Sequence, residues 1–297
     1  MISVVIPSYQ RKERMLRLLQ TVFEQESVEL DVVVVDDQSV DGTFEAIRAQ
    51  FPLARVFRNE RNSGPAVSRN RGFAEARSSL VIGLDSDVTL PDRSVLSRIE
   101  ALFAAHPEAT GMAFRIYRPD GVSDDVDRWW HPQPVGSSAG KWFPTDYFSG
   151  TAFAFRKESF VKAGGFPEAF FIYYEEVELS YRILDDGGTI LYCPEVAVLH
   201  HEDRVSLRGE GRLLLQPRNQ VLFAIHCYTL VRGTLFLVPR LGYGFLRAVA
   251  RRRPSIFIRS MWSACRLAPR CLRERKVLRP ETWRRLGDLR GRRFFIS

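Results

Sequence analysis

A chain of 297 residues, 45% of them hydrophobic, is long enough for one large domain or for one domain with an appendage, and its composition excludes a disordered protein. The formal net charge of +8 hides a division, because residues 1–203 carry 21 Lys and Arg against 31 Asp and Glu, whereas residues 204–297 carry 22 against 4. The resulting charges of −10 and +18 predict two parts, an acidic body at 1–203 and a basic extension at 204–297 that meets something anionic.

Strands and helices are predicted to alternate along the first 105 residues. Short apolar runs bounded by turn residues predict strands, and apolar residues spaced by three or four predict helices. The predicted strands are 2–6, 31–35, 54–57 and 80–84, and the predicted helices are 12–25, 44–50, 66–77 and 93–105. This alternation predicts an α/β fold with a doubly wound, mostly parallel sheet and helices on both faces. Loops that follow parallel strands converge at one edge of the sheet, where ligands bind.

The second half of the chain departs from this rhythm. Residues 118–146 are rich in Pro, Gly, Asp and Trp, and they fit a substrate-facing loop and an ordinary surface loop equally well. In the first interpretation, Trp142 belongs to the region that binds the substrates. Further predicted elements are strands at 151–155, 190–193 and 196–199, a helix at 175–184, and basic amphipathic helices beyond residue 204.

Two aspartates follow directly on the apolar run 80–84. Asp85 and Asp87 stand one residue apart at the predicted carboxyl end of a strand. Carboxylates in this position can share a hard cation such as Mg²⁺ or Mn²⁺, and that cation can hold a diphosphate. An acidic surface turn has the same pattern, so the motif alone leaves both interpretations open.

Other polar residues also stand at the ends of predicted elements. Asp37 either begins a turn or accepts a hydrogen bond from a nucleotide. Arg69 lies near the start of a helix, a place that attracts phosphate, although exposed arginines are usually only solvated. Glu175, Glu176 and Glu178 open a later helix, where acids interact favourably with the helix dipole. A carboxylate beside aromatic residues can instead serve as a general base.

Histidine and cysteine residues give weaker signals. His200 ends a predicted strand and is either structural or a ligand of a divalent metal. The four cysteines form neither a C-x-x-C pair nor a zinc-type spacing, so we expect a reducing compartment. The N-terminus has no pattern of a signal peptide, and no apolar run reaches the ~18 residues of a membrane span. We therefore expect a cytoplasmic location, with a peripheral position on the inner face of the cell membrane as the alternative if the basic extension meets lipid.

Seven segments together carry a resemblance to a known family. They are SVVIPSYQR at 3–11, VVVDDQSVDGT at 33–43, NSGPAVSRNRG at 62–72, LDSD at 84–87, FSGTAFAFRKESF at 148–160, GGFPE at 164–168 and YYEEVELSYRI at 173–183. In this order, and with a histidine at the end of a later strand, they resemble glycosyltransferase family 2, whose members have the GT-A fold. The resemblance covers roughly residues 2–203, and within the family the chain looks most like the rhamnosyltransferase-like branch.

The resemblance implies roles for individual residues. The implied nucleotide-binding residues are Pro7, Tyr9, Arg11, Asp37, Arg69 and Asp85. The implied ligands of Mg²⁺ or Mn²⁺ are Asp85, Asp87 and His200, and the sugar and acceptor are expected to approach the backbone at Gly150. Glu176 matches the usual catalytic base, although the family more often has Asp there. The additional methylene group of glutamate moves the carboxylate by about 1 Å relative to aspartate, and a displacement of this size can cost on the order of 100-fold in rate. Glu175 and Glu178 therefore stay as alternatives for the base.

The activity that the resemblance implies is glycosyl transfer with inversion, from a nucleoside-diphosphate sugar to a hydroxyl of a lipid-linked or cell-envelope glycan. Two other functions fit parts of the sequence. A nucleotidyltransferase also uses a carboxylate pair, but it needs a glycine-rich loop where this chain has PSYQRKER. A non-catalytic nucleotide-sugar-binding protein would not need the full set of acids. Nucleic acid is not an expected partner, because the basic extension has no recognised motif for it.

The basic extension suggests where the acceptor is found. Arg251, Arg252 and Arg253 follow an apolar stretch, and arginine and aromatic residues alternate beyond them. Amphipathic segments of this kind bind anionic membrane surfaces. A helical lid with a solvated basic face is the alternative.

Overall fold

A computed structural model of the chain describes residues 1–201 and 210–291. Within these ranges the strands are β1 (Ile2–Ser8), β2 (Leu30–Asp36), β3 (Arg55–Arg58), β4 (Leu80–Leu84), β5 (Val88–Thr89), β6 (Gly111–Tyr117), β7 (Phe143–Thr145), β8 (Ala152–Arg156) and β9 (Ile190–His200). The α-helices of the same ranges are α1 (Lys12–Phe23), α2 (Thr43–Gln50), α3 (Pro65–Glu75), α4 (Val95–Ala105), α5 (Val135–Ser138), α6 (Lys157–Ala163), α7 (Glu175–Asp185), α8 (Glu210–Cys227), α9 (Leu230–Ala250), α10 (Pro254–Arg273) and α11 (Pro280–Arg290).

The strands form one mixed sheet, and the expected α/β fold is confirmed. The strand order is β3-β2-β1-β4-β8-β6-β9-β5, with β7 paired to β9. The pairings β1/β2, β1/β4 and β2/β3 are parallel, as the alternation of strands and helices predicts. Beyond β4 the sheet is mixed, since β8 runs antiparallel to both β4 and β6. The carboxyl ends of β1, β2 and β4 therefore meet at one edge.

The sheet separates two apolar layers. Successive side chains of a strand point to opposite faces, so Val4 and Ile6 of β1 enter one layer and Val5 enters the other. Met15 of α1 packs in the first layer, and Phe73 of α3 packs in the second. Coverage of both faces by helices explains why β1 and β2 read as continuous apolar runs.

The sheet differs from the sequence prediction in the short strands β5 and β7, which were not predicted, and in two larger details. Strand β6, which was not predicted, pairs with β8 and β9 in the middle of the mixed half. The predicted strands at 190–193 and 196–199 are one strand, β9, with a bulge at Pro194. Cys193 pairs with Phe114, and the next pair is Ala197 with Arg115, which leaves three residues without a partner in β6. A bulge accommodates a proline that cannot donate to the ladder.

The helical extension shares a core with the body. Tyr181 of α7 packs edge-to-face on Phe223 of α8, with ring centroids 5.5 Å apart, and Tyr228 packs on Trp283 of α11 at 4.8 Å. These residues belong to one buried apolar cluster that includes residues of both parts. The predicted boundary at 203/204 lies outside the described residues. Among the described helices, none combines the length and the apolar character that crossing a membrane requires.

Candidate active site

The loops at the carboxyl edge of the parallel strands surround one cleft of about 580 Å³. The starts of α3 and α7 complete its walls. The predicted site residues that line it are Pro7, Tyr9, Arg11, Asp37, Arg69, Asp85, Asp87, Glu175 and Glu176. The volume is typical of a small-molecule site. The acidic turns that are far apart in sequence thus converge on one space.

Arg69 of α3 links the two sides of the cleft. Its Nη2 donates to Asp85 Oδ1 at 2.6 Å and to the carbonyl of Gly150 at 3.1 Å, and its Nη1 lies 3.7 Å from Glu175 Oε1. Burial would lower the pKa of Arg69, but the neighbouring carboxylates, Asp85 foremost, outweigh it and raise the pKa. Its buried Nε and Nη1 have no hydrogen-bond partner among the described residues. A fixed guanidinium with unused donors fits a phosphate.

Glu175 and Glu176 at the start of α7 have different surroundings. Glu176 is half-buried and accepts a hydrogen bond from the Gly150 N–H at 3.3 Å. Glu175 is 1% exposed, and its Oε2 makes no hydrogen bond within the described residues. Burial, followed by the charge of Glu176, raises the pKa of Glu175 well above its usual value, and Arg69 offsets only part of this. The pair therefore offers one partly exposed carboxylate and one buried carboxyl group whose ionised form is disfavoured by its surroundings.

Asp87 and His200 are adjacent because of strand pairing. β5 follows Asp87 directly, and its Val88 pairs with His200 at the end of β9. His200 Nε2 lies 3.7 Å from Asp87 Oδ1 and is buried without a hydrogen-bond partner in the described structure. The other ring nitrogen, Nδ1, bonds to Asp125 Oδ2 at 2.7 Å. This carboxylate–histidine arrangement is the one that orients metal-ligating imidazoles in proteins.

The chemistry of this donor set fits a divalent cation. Asp85 and Asp87 supply oxygen atoms, and the unpartnered Nε2 of His200 supplies a nitrogen. In the present conformation the carboxylates are engaged by arginines, since Arg11 contacts Asp87 and Arg69 contacts Asp85. Both carboxylates thus face cationic groups at the edge of the cleft.

Asp37 lines the cleft but is already well satisfied. Its carboxylate accepts from the Gly64 N–H at 2.7 Å, from the Ser63 N–H at 3.0 and 3.1 Å, and from Asn59 Nδ2 at 2.8 Å. These bonds fix the loop that leads into α3. Asp37 therefore shapes the wall of the cleft beside the start of α3, and little of its capacity as an acceptor remains for a ligand.

Glu178, an alternative for the base, does not reach the cleft. It is fully buried on the opposite side of α7, where Arg182 Nε donates to it at 2.6 Å and His226 Nδ1 bonds at 2.6 Å. Burial alone would raise the pKa of Glu178, but Arg182 and the bond with His226 outweigh it and lower the pKa to about 2. The expectation of a catalytic Glu178 is corrected to a structural ion pair.

The same cluster is the tightest set of metal-type side chains among the described residues. Glu178, His226 and Cys227 bring three ligand atoms within 4.8 Å of one another. The guanidinium of Arg182 already neutralises the glutamate, and burial raises the pKa of Cys227 well above its usual value. A cysteine binds a metal as its thiolate, which burial disfavours at Cys227, so the cluster does not fit a metal site.

Trp142 also lies away from the cleft. Its ring packs against His106 at 4.9 Å, and its Nε1 donates to Glu195 at 2.8 Å. The same loop places Trp130 in the cleft instead, where it lies beside Tyr147 and Tyr174 with ring centroids 6.1 and 6.2 Å away. The middle of 118–146 thus lines the cleft, whereas Trp142, the residue expected to face the substrate, does not.

Two further residues of the site were not found by sequence reasoning. Asp125, which orients His200, is separated from it by 75 residues, and only tertiary structure joins them. Arg212, on α8 of the basic extension, lines the cleft. The acidic run at 124–127 and the excess of arginine beyond 204 were the available signals, and neither singles out one residue.

Comparison with known sequences identifies the family. The sequence model described as Glycosyl transferase family 2 matches residues 3–164. The succinoglycan biosynthesis protein ExoO of Rhizobium meliloti (strain 1021) is 37% identical over 94 residues, which is 31% of this chain and 27% of that protein. The N-acetylglucosaminyl-diphospho-decaprenol L-rhamnosyltransferase of Mycobacterium tuberculosis (strain ATCC 25618 / H37Rv) is 24% identical over 234 residues, or 68% of this chain and 76% of that protein. Three of the curated relatives are matched over only 26% to 57% of their own length.

Solved structures support the same fold. The mannosyltransferase PcManGT from Pyrobaculum calidifontis, in complex with GDP-Man and Mn²⁺, superposes with a TM-score of 0.60 over 90% of this chain and 86% of that chain, at 18% identity. At this identity the likeness concerns the fold alone, which is the GT-A fold. The family match covers more than half of the sequence, and the chain therefore belongs to glycosyl transferase family 2.

Proposed function

We propose that the protein is an inverting glycosyltransferase that moves a sugar from a nucleoside-diphosphate sugar to an acceptor hydroxyl with the help of Mg²⁺ or Mn²⁺. The observation that carries the proposal is the position of Arg69. It contacts Asp85 on the donor side, and Glu175 on the side where Glu176 stands. Arg69 thus stands between the carboxylate that would hold the cation and the glutamate pair that would supply the base.

Donor binding is assigned to the loops after β1 and β2 and to Arg69. Pro7 and Tyr9 line the region for the base, and the loop held by Asp37 leads to the start of α3. The GDP-Man bound in PcManGT, which has the same fold, supports a nucleotide sugar as the donor. The unused donors of Arg69 are suited to the oxygen atoms of the departing diphosphate.

Asp85, Asp87 and His200 are the residues that would hold the cation. A bound Mg²⁺ or Mn²⁺ supplies Lewis-acid stabilisation of the negative charge on the diphosphate. The chain prepares this site through Asp125, which holds His200 by Nδ1 and leaves Nε2 directed toward Asp87. Arg11 and Arg69 contact the two aspartates, so binding of a cation must compete with these arginines.

Glu176 is proposed as the general base. It is the more solvated carboxylate of its pair and lies next to Gly150 in the cleft. It would accept the proton of the acceptor hydroxyl as that oxygen attacks the anomeric carbon. Glu175 is less suited to this role, because it is buried and makes its ion pair with Arg69. One displacement without a covalent intermediate inverts the anomeric centre.

The acceptor side of the cleft has an aromatic wall formed by Trp130, Tyr147 and Tyr174. Aromatic faces bind the apolar faces of sugar rings, so the wall suits a glycan acceptor. The relative from Mycobacterium tuberculosis is named for a sugar attached to diphospho-decaprenol. We infer a lipid-linked saccharide as the acceptor of this chain as well.

The basic extension provides a surface for such a lipid. On α9 the exposed apolar side chains Val231, Leu235, Val238, Leu246 and Val249 are spaced by three, four or eight residues, which places them on one stripe. Exposed arginines at 251–253 follow this helix. An apolar stripe beside cationic groups is the pattern of a helix that lies in an anionic membrane surface.

Flotation with vesicles of phosphatidylglycerol and phosphatidylcholine tests the membrane part. We expect the protein to co-float at low salt and the variant Leu235→Glu/Val238→Glu to remain in solution. The control is Val40→Glu, which changes an equally exposed apolar residue of the body. Equal flotation of all three proteins, or of none, contradicts the assignment of this surface.

A thermal-shift screen of nucleotide sugars with Mn²⁺ tests the activity, because a ligand of the folded state raises the melting temperature. The nucleotide sugar with the largest shift is then used to detect transfer to lipid-linked saccharides by mass spectrometry. We expect Asp87→Ala to lose the Mn²⁺-dependent shift. A nucleotide sugar that binds but is never consumed favours the non-catalytic alternative. Formation of a nucleoside-diphosphate sugar from a sugar phosphate and a nucleoside triphosphate, with release of pyrophosphate, favours a nucleotidyltransferase.

A further inference from the structure

The segment that precedes the catalytic helix α7 has a strained backbone. Phe171, Tyr173 and Tyr174 have φ angles of 66°, 76° and 69°, in the region that favours glycine. Phe171 has ψ −69°, and the Ile172 N–H donates to the carbonyl of Phe170 at 2.8 Å, which together form a γ-turn of the rare positive-φ type. Such conformations persist only where the surroundings hold them.

This segment forms part of the cleft and connects its two sides. Residues 171–177 all line the cleft, and Tyr174 is the N-cap of α7, one residue before Glu175. On the donor side, the carbonyl of Phe171 accepts from the Ala66 N–H at 3.4 Å. A side chain at Gly64 would collide with the ring of Phe171, since a Cβ would lie 2.5 Å from it. The conformation of the segment therefore sets where the two glutamates stand relative to the start of α3.

The groups that hold the segment come from the basic extension. Asn219 of α8 is fully buried, and its Nδ2 lies 2.9, 2.8 and 2.7 Å from the carbonyl oxygens of Phe170, Ile172 and Tyr173. Arg218 donates to the carbonyl of Phe170 at 2.6 Å. Its Nε also donates to Asn219 Oδ1 at 2.8 Å, which fixes the orientation of the amide.

The use of a buried arginine for this purpose is unusual. Arg218 is 9% exposed, and burial lowers its pKa. Among the described residues no carboxylate forms an ion pair with it, and its hydrogen bonds go to a carbonyl and an amide oxygen. A buried cation without a counter-ion is unfavourable for stability, so a role in packing alone does not account for it.

We propose that Arg218 and Asn219 are positioning residues that clamp residues 170–174 and thereby place Glu176 for catalysis. The clamp lies outside residues 3–164, the part matched to the family. It makes the extension a necessary part of the catalytic unit. This inference rests on the proposed function for its effect on turnover, but the effect on the segment itself is independent of it.

The main test is Asn219→Asp, which keeps the size of the side chain and its contact with Arg218 but replaces the donating amide by an oxygen that repels the three carbonyls. We expect faster hydrogen exchange in peptides that cover 170–178. We also expect kcat for the nucleotide sugar identified by thermal shift to fall on the order of 100-fold. The affinity for Mn²⁺ alone, measured by calorimetry, should stay within twofold, because its proposed ligands lie in the turn between β4 and β5 and at the end of β9.

The control is Ser260→Ala. Ser260 is as buried as Asn219 and joins α10 to α8 through one hydrogen bond of 2.6 Å to the carbonyl of Leu214, but it does not contact the segment. A general loosening of the extension would affect both variants alike and would lower Mn²⁺ binding in proportion to the unfolded fraction. If the clamp exists, only Asn219→Asp should combine faster hydrogen exchange in 170–178 and lower turnover with an unchanged affinity for Mn²⁺.

A second variant covers a failure of Asn219→Asp to fold. Arg218→Met removes the donor to Phe170 and the partner that orients Asn219, and it also removes a buried charge, so it is expected to fold. It should show the same local exchange and a loss of turnover of at least tenfold. The proposal is overturned if a folded variant has exchange in 170–178 and turnover equal to those of Ser260→Ala. If the unmodified protein transfers no sugar, the proposed function fails, and the exchange comparison still decides whether the clamp exists.

Discussion

Replacing Gly150 by alanine tests the arrangement of the cleft with one methyl group. A Cβ at this position would lie 2.5 Å from Arg69 Nη2 and 2.8 Å from Glu176 Oε1. The φ angle of Gly150 is outside the positive range, so alanine is compatible with the backbone. The added atom therefore acts on the two functional side chains and not on the fold of the loop.

The size of the effect follows from these distances. Real Cβ atoms essentially never approach closer than 3.0 Å, and ordinary contact begins at 3.4 Å. Arg69 Nη2 must therefore move by about 0.5 to 0.9 Å, and Glu176 Oε1 by about 0.2 to 0.6 Å. Arg69 is 3% exposed and tied to Asp85, so it cannot swing into solvent. Displacements near 1 Å can cost on the order of 100-fold in rate, and we expect a loss of turnover of that order.

Initial rates with the identified nucleotide sugar measure this loss, and melting temperatures show whether the protein stays folded. The matched control is Gly140→Ala, because a Cβ at Gly140 meets nothing within 4 Å. We expect the control to keep the rate of the unmodified protein. A Gly150→Ala protein that works within threefold of the unmodified one would refute the proposed roles of Arg69 and Glu176.

Three other substitutions test separate parts of the site. Glu176→Gln should retain the Mn²⁺-dependent thermal shift with the nucleotide sugar and lose product formation, and near-normal product would exclude it as the base. Asp125→Ala should weaken Mn²⁺ binding about 10- to 100-fold in calorimetry because His200 loses its orientation, whereas the exposed Asp120→Ala should not. Glu178→Gln leaves a buried guanidinium without its anion and should lower the free energy of unfolding in urea by about 3–5 kcal/mol. Since the folded pKa of Glu178 is about 2 against the usual 4.5, its stabilisation is complete above about pH 4.5 and is lost as the pH falls toward 2, so the unmodified protein should lose more stability over this interval than the variant.

The part of the cleft formed by the loops after β2 and β4 could be predicted because its signals are local. A buried strand followed by a polar turn is visible in the sequence, and parallel strands bring such turns to one edge. This reasoning joined Asp37 with Asp85 and Asp87 without knowledge of the tertiary structure. It did not reveal that Asp37 is saturated by the loop at 59–64, because hydrogen bonds between loops depend on their exact course.

The helical period bears on one error. Glu176 and Glu178 are two positions apart, which is about 200° around a helix at 3.6 residues per turn, so they face opposite sides of α7. Glu175 lies about one turn before Glu178 and does line the cleft, so the period alone does not exclude Glu178, and its burial against α8 had to come from the structure. The choice between Trp130 and Trp142 had no such basis, since both lie in an irregular loop whose path is set by contacts with α4, β9 and α7.

The opposite charges of the two parts suggested two modules, and the structure divides the basic charge in a different way. Part of it is buried inside the shared core, where Arg218 clamps the segment before α7 and Arg290 pairs with the fully buried Asp146 of the body. Another part is exposed, as at residues 251–253 beside the apolar stripe of α9. A count of charges cannot separate these uses, because burial is decided by packing.

If the extension both clamps the catalytic segment and lies on a membrane, the helices that contact the lipid are continuous with the helix that positions the base. Removing the extension would then abolish turnover even with a water-soluble acceptor, whereas charge reversal at 251–253 would affect only the lipid-linked one.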